Sequence, residues 1–270
     1  FPTRRSSDLG ALIKGGAALE QLGRIQHIAF DKTGTLTVGQ PTVTEILPTS
    51  TLTRKQLLAL AAAVEQGATH PLAKAIVHDA GQQGLVLLEA DNQRVIPGKG
   101  IEASVNGQTL RLCSPGAVPA HVLTEEYRQQ IERQESLGQT VILLLQDNTL
   151  LGMLALQDTL RSDAQQAIKQ LQTMGITGTI LTGDNPRAAA AIAQQTGLSW
   201  QANLLPADKV AAVNALNARA PLAMVGDGIN DAPAMKAATA GIAMGSGTDV
   251  ALETADAAIR SEERRVGKEC

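Results

Sequence analysis

The spacing of apolar positions changes character twice along the chain, and each change predicts a different kind of structure. Residues 1–9, FPTRRSSDL, show no apolar period. Between 10 and 23, Ala11, Leu12, Ala17, Ala18, Leu19 and Leu22 are spaced as in a short amphipathic element. Ile28-Ala29-Phe30 is a compact apolar run that reads as a strand, and weak alternation over 38–47 predicts another. The pattern then shifts at Pro48. Thr53 is placed to cap a helix through Leu57, Leu58, Ala61 and Val64, and Pro71 suits the first position of a second helix over 72–82, with Thr69 or His70 as its cap. Residues 101–105 and 109–112 alternate around Asn106-Gly107, a strong hairpin signal. A polar helix over 124–137 leads to a second hairpin, 140–145 and 150–156, turning at Asp147-Asn148.

After Leu156 strands and helices alternate: helix 162–174, strand 179–181, helix from Pro186 to Gly197, helix 207–217, strand 222–225, and strands at 241–244 and 255–259. Such alternation implies a doubly wound parallel sheet. The expected organisation is an α/β domain in two pieces, 10–47 and 151–260, with an inserted α+β unit over 48–150. Hinges are expected near 42–48 and 151–161, and residues 1–9 and 261–270 read as disordered or non-native arms.

Composition narrows the function. Aromatics make up 1% of residues, so the core must be aliphatic, and stacking platforms for single-stranded nucleic acid are not expected. A net charge of −3 argues against nucleic acid as a partner. Two cysteines, Cys113 and Cys270, give neither a disulfide framework nor metal-ligand spacing, which fits a reducing compartment. No apolar stretch approaches the roughly 18 residues of a membrane span, and no signal peptide is evident, so the chain as given is expected to be soluble.

Three predicted strands end in loops with chemistry. Phe30 is followed by DKTGTLT (31–37), Leu181 by Thr182-Gly183-Asp184, and Val225 by GDGINDAP (226–233). In a parallel sheet these carboxyl ends share one edge, so Asp31, Asp184, Asp227 and Asp231 meet in one crevice. Clustered carboxylates call for a shared cation, and Mg²⁺ with its oxygen ligands suits them. Lys209 could approach the same edge. Taken singly, Asp184-Asn185 could be a helix cap, Gly226-Asp227-Gly228 a tight turn, and Lys209 a surface residue.

Taken in order, DKTGTLT, TGD and GDGINDAP resemble the phosphorylation-domain motifs of P-type ATPases, over about residues 10–258. The resemblance implies a haloacid-dehalogenase-like fold with an inserted nucleotide-binding domain, using ATP and Mg²⁺. It makes Asp31 the phosphorylated residue, with Asp227 and the Thr33 carbonyl as further Mg²⁺ ligands. Thr182, Gly183 and Lys209 hold the transferred phosphoryl group, and Asp184, Asn230 and Asp231 support the site. Asp158-Thr159-Leu160-Arg161 matches the family's hinge segment. Thr69-His70-Pro71-Leu72, with Glu65 before it, resembles the histidine-proline motif of heavy-metal-transporting members, and Gly98-Lys99-Gly100 the glycines that bracket their nucleotide. On the residues alone, His70 is equally a cap ahead of Pro71. His27, His78 and His121 read as ordinary surface or packing residues.

The run AAAVEQGATHPLAKAI is most similar to bacterial zinc, cadmium and lead exporters. That implies a catalytic headpiece on the cytoplasmic face of the bacterial plasma membrane, working with actuator and transmembrane domains that move a divalent metal ion. Two alternatives stand beside it: a soluble phosphatase of the same superfamily, and a nucleotide-binding module without catalysis. Those phosphatases carry a second Asp two residues after the nucleophile, where this chain has Thr33.

Overall fold

The computed structural model describes residues 10–97, 99–227, 231–244 and 254–259. Its elements run β1 (Ala11–Ile13), α1 (Gly15–Leu22), β2 (His27–Asp31), β3 (Thr42–Pro48), α2 (Arg54–Glu65), α3 (Pro71–Gln82), β4 (Ala90–Ile96), β5 (Gly100–Val105) and β6 (Gln108–Cys113). There follow α4 (Glu125–Ser136), β7 (Thr140–Gln146), β8 (Thr149–Gln157), α5 (Ala164–Thr173), β9 (Thr177–Leu181), α6 (Pro186–Thr196), β10 (Ser199–Gln201), α7 (Pro206–Asn217), β11 (Leu222–Gly226), α8 (Ala232–Ala237), β12 (Ala240–Met244) and β13 (Ala257–Ile259).

Two compact units result, one from the chain up to Gly39 and again from Leu160, the other Gln40–Thr159. The α/β class with an inserted α+β unit is as expected from the sequence. The boundaries are not those expected, 47/48 and 150/151. β3 pairs antiparallel with β8 from Thr42↔Gln157 to Pro48↔Gly152, and so closes one edge of the inserted sheet. Alternation over 38–47 correctly signals a strand, but which sheet it joins is decided by a partner more than a hundred residues later. Both arms, Gly98 and Asn230 lie outside the described residues.

The outer unit has a seven-stranded sheet ordered β1-β13-β12-β11-β2-β9-β10. All its pairings are parallel except β1 with β13. A parallel sheet is covered on both faces, so its strands read as continuous apolar runs and successive side chains enter opposite layers. Ile28, Phe30, Ile180 and Val225 pack with Ile168 of α5 and Ile192 of α6. Ala29, Leu181, Leu222 and Met224 pack with Val213 of α7 and Met235 of α8. Alternation from Ala29 therefore sends Asp31 to the α7 side of the sheet.

The inserted unit has an antiparallel six-stranded sheet ordered β3-β8-β7-β6-β5-β4. One face packs Leu144 and Leu154 against Leu57, Leu58 and Ile76 of α2 and α3. The other packs Leu143, Leu145 and Met153 against Tyr127 and Ile131 of α4. The Asn106-Gly107 turn forms as its composition predicts, with φ of 52° and 75°. Thr53 supplies a full capping box with Gln56 for α2, and Asn185 caps α6 through the Ala188 N–H at 2.9 Å. β1, β4 and β10 carry no sequence signal of their own. They are short or at a sheet edge, and edge strands pair through backbone without needing an apolar face.

Candidate active site

Asp31 ends β2 and is buried, with 7% of its surface exposed. Behind it the chain makes a wide turn, Lys32–Leu36, stapled by Thr37. The Thr37 N–H and hydroxyl donate to the Lys32 carbonyl at 3.1 and 3.0 Å, and the Gly34 N–H donates to the Thr37 hydroxyl at 3.2 Å. The motif's last hydroxyl therefore holds its first residues in shape, and Thr37 is fully buried.

Lys209 enters from the first turn of α7, which lies on the same side of the sheet as Asp31. Pro206 opens this helix and the Asp208 carboxylate accepts the Leu205 N–H at 3.0 Å, fixing its start. The Lys209 ammonium donates to Asp31 Oδ1 at 2.5 Å and to Asp231 Oδ1 at 3.0 Å. The surface reading of Lys209 is thereby excluded. Asp231 is 1% exposed, and its place depends on Gly226. A Cβ on Gly226 would sit 2.6 to 2.9 Å from Asp231 side-chain atoms, closer than real Cβ atoms come.

The second loop closes on the segment that leads into α7. Thr182 is buried and its hydroxyl accepts the Asp184 N–H at 3.1 Å. The Asn203 and Leu204 N–H groups donate to the Asp184 and Thr182 carbonyls at 2.8 and 3.1 Å, which ties this loop to the entry of α7. Gly183 is packed there too, with space for a Cβ only 3.2 Å from the Leu204 carbonyl. The Asp184 carboxylate forms an ion pair with Lys32, a residue sequence reasoning left without a role. No sequence signal marks it, because its partner lies far along the chain, yet Lys32 is 3% exposed.

Among the described residues, four carboxylates (Asp31, Asp184, Asp227, Asp231) thus gather with two lysines. The surplus shows in Asp31. Burial pushes its carboxyl up to about 7; Asp231 and then Asp227 add to the rise, and Lys209 opposes it. Lys209 behaves conversely. Burial alone lowers its pKa, but the Asp31 and Asp231 carboxylates carry it above its ordinary value. A net negative oxygen site suits a divalent cation. Asp227 lies beside the turn, its Cβ 3.9 Å from where a Gly34 Cβ would lie, and the Asp31 and Asp227 carboxylates are oxygen donors of the kind a divalent cation takes. No cluster of three or more His, Cys, Asp or Glu able to hold a metal is found among the described residues. Mg²⁺ does not need one, since it uses one or two carboxylates and keeps several waters.

In the inserted unit Glu65 is the last residue of α2 and is buried, and burial pushes its carboxyl up to about 7. His70 caps α3, its Nδ1 accepting the Leu72 N–H at 3.3 Å. The capping expectation is therefore met, and it places the ring proton of neutral His70 on Nε2. Gly100 opens β5 at φ 100°, where a Cβ would lie 1.9 Å from the Leu112 carbonyl, so only glycine fits. α2 packs on α3, β4 and β5, which brings Glu65, His70 and Gly100 onto neighbouring elements. His27 is elsewhere. It begins β2, at the far end from Asp31, and bonds the Thr177 and Thr179 hydroxyls at 2.6 and 2.8 Å.

Residues 25–239 match the family model for haloacid dehalogenase-like hydrolases. The chain is 62% identical over 250 residues to the zinc/cadmium/lead-transporting P-type ATPase of Escherichia coli K12, covering 93% of this chain and 34% of that protein. The chain thus spans about a third of the curated relatives it matches. Among solved structures, a zinc-transporting PIB-type ATPase in its E2.Pi state is 61% identical over 94% of this chain and 41% of that one, with a TM-score of 0.65. The catalytic domain of the CPx-ATPase CopB-B is 28% identical, with a TM-score of 0.75 over 93% of this chain and 90% of that one. The chain belongs to the haloacid dehalogenase-like hydrolase family, and the relatives it matches include zinc/cadmium/lead-, copper- and manganese-transporting P-type ATPases.

Proposed function

We propose that this chain is the ATP-using, self-phosphorylating part of a heavy-metal-exporting P-type ATPase. The observation that carries the reading is buried Asp31, held by Lys209, in a motif whose third residue is Thr33 and not a second aspartate. Asp31 attacks the γ-phosphorus of ATP, the bond to the β,γ-bridging oxygen breaks, and ADP leaves. An aspartyl phosphate remains. Lys209, Thr182 and Gly183 offset charge on the transferred group, since such transfer depends on positioning and electrostatics. Asp184, Asn230 and Asp231 support them, Asp231 by sharing Lys209 with Asp31.

Glu65, His70, Gly98 and Gly100 hold the nucleotide on the inserted unit. Asp31, Asp227 and the Thr33 carbonyl would hold Mg²⁺, which would neutralise phosphate charge. Thr33 cannot take a proton from water at neutral pH, so hydrolysis awaits a base from elsewhere, which the P-type resemblance assigns to an actuator domain. The cargo is a divalent metal of the zinc, cadmium and lead class, by likeness to the E. coli relative. Its ligands belong to transmembrane segments, and no helix among the described residues is long and apolar enough to cross a membrane. By the same likeness the chain works at the cytoplasmic face of the bacterial plasma membrane.

The test uses γ-labelled ATP with Mg²⁺, comparing the parent with Asp31→Asn. The parent should acquire acid-stable, hydroxylamine-labile label and the variant none. Rapid turnover of para-nitrophenyl phosphate without label would identify a phosphatase instead.

A further inference from the structure

A helix leaves its last carbonyls without intrahelical partners. At the end of α2, one of them and the carbonyl of the residue after the helix face one side chain. The Gln93 carboxamide nitrogen donates to the Val64 carbonyl at 2.6 Å and to the Gln66 carbonyl at 3.0 Å. These two residues flank Glu65. Both acceptors are carbonyls, so the contact needs a donor and is lost with a carboxylate of the same shape.

Gln93 reaches them because β4 is irregular. Asn92 sits at φ 54°, in the left-handed region that asparagine tolerates better than most residues, and the pairing of β4 with β5 slips between Asp91 and Arg94. Bulges of this kind re-aim a side chain and are frequent beside functional sites. The turn after Glu65 is otherwise held by short-range backbone bonds, Gln66 N–H to the Ala63 carbonyl at 3.3 Å and Ala68 N–H to the Glu65 carbonyl at 3.0 Å. Gln93 adds a tether from a strand nearly thirty residues away in sequence.

We propose that Gln93 is a positioning residue of the nucleotide site: it fixes the end of α2 so that Glu65, and the turn leading to His70, hold one geometry for the base. The inference rests on the reading that ATP binds at Glu65 and His70. Gln93 is itself exposed, so replacing it leaves the core of the unit intact.

The test is isothermal titration of the full chain with ATP, for Gln93→Glu and Gln93→Ala, each alone and in a Glu65→Gln background, together with the thermal midpoint of each variant. Loss of two hydrogen bonds at a solvent-accessible turn should weaken ATP about 5- to 30-fold with little change in midpoint. In the Glu65→Gln background the further loss should be clearly smaller than in the parent, because one of the two groups being positioned is already disabled. Unchanged ATP affinity in both Gln93 variants overturns the proposal. So does a full, additive loss in the Glu65→Gln background, which would make Gln93 independent of Glu65. If Glu65→Gln and His70→Gln each bind ATP like the parent, the nucleotide-site reading fails first, and the role of Gln93 fails with it.

Discussion

Replacing Glu65 by glutamine should stabilise the chain at pH 8 and change little at pH 4. Glu65 follows Ala61, Ala62, Ala63 and Val64, all fully buried, at the end of α2 and is only 9% exposed. Burial raises its carboxyl from 4.5 to about 7. Such a rise corresponds to about 3 kcal/mol, since each pH unit is worth about 1.4 kcal/mol. The sign follows from which state holds the proton. Below 4.5 both folded and unfolded chains are protonated, and the burial carries no ionisation penalty. Between 4.5 and about 7 the unfolded chain ionises while the folded one does not, and stability is lost as pH rises. Above 7 the parent bears the whole cost, and a glutamine of the same shape bears none.

Urea unfolding followed by circular dichroism at pH 4, 6 and 8 measures this directly. The variant should exceed the parent by up to about 3 kcal/mol at pH 8, by roughly half to two-thirds of that at pH 6, and by almost nothing at pH 4. The same variant should bind ATP more weakly, since a buried acid that lowers stability is retained where function needs it. Equal stability of parent and variant at every pH would mean that Glu65 is solvated and carries no burial cost.

Lys209→Met should slow labelling of Asp31 by at least about 100-fold, the cost of removing a preorganised charge from a buried reacting centre, measured from initial rates. Gly226→Ala should destabilise the chain by about 1–3 kcal/mol in urea and also slow labelling, because the added Cβ displaces the Asp231 carboxylate that shares Lys209. Thr33→Asp adds a carboxyl group where the phosphatases of the superfamily carry theirs, and should shorten the lifetime of any label on Asp31, read by acid quenching.

Much of the site was legible because its residues are set by local order along the chain. DKTGTLT, TGD and GDGINDAP each follow an apolar run, so strand ends and chemistry are read together. What was not legible depends on distant partners. Lys209, which reads alone as a surface lysine on a helix, was placed at the site only by its order among the other motifs, and its bridge to both Asp31 and Asp231 is visible only in the structure. Lys32 meets Asp184 across the sheet edge, about 150 residues away in sequence. β3 could be read as a strand but not assigned to the inserted sheet, since its partner is β8. β4 was invisible because an exposed edge strand needs no apolar period, and Gln93 was hidden with it.

A phosphoryl group stored on Asp31 is open to measurement by pulse–chase. The chain is labelled with γ-labelled ATP and Mg²⁺, chased with excess unlabelled ATP, quenched in acid at intervals, and digested to locate the label. Label on the Asp31 peptide, released by hydroxylamine, should outlast the chase by many times the labelling half-time. Label that vanishes as fast as it forms, or that persists unchanged in Asp31→Asn, would contradict such storage.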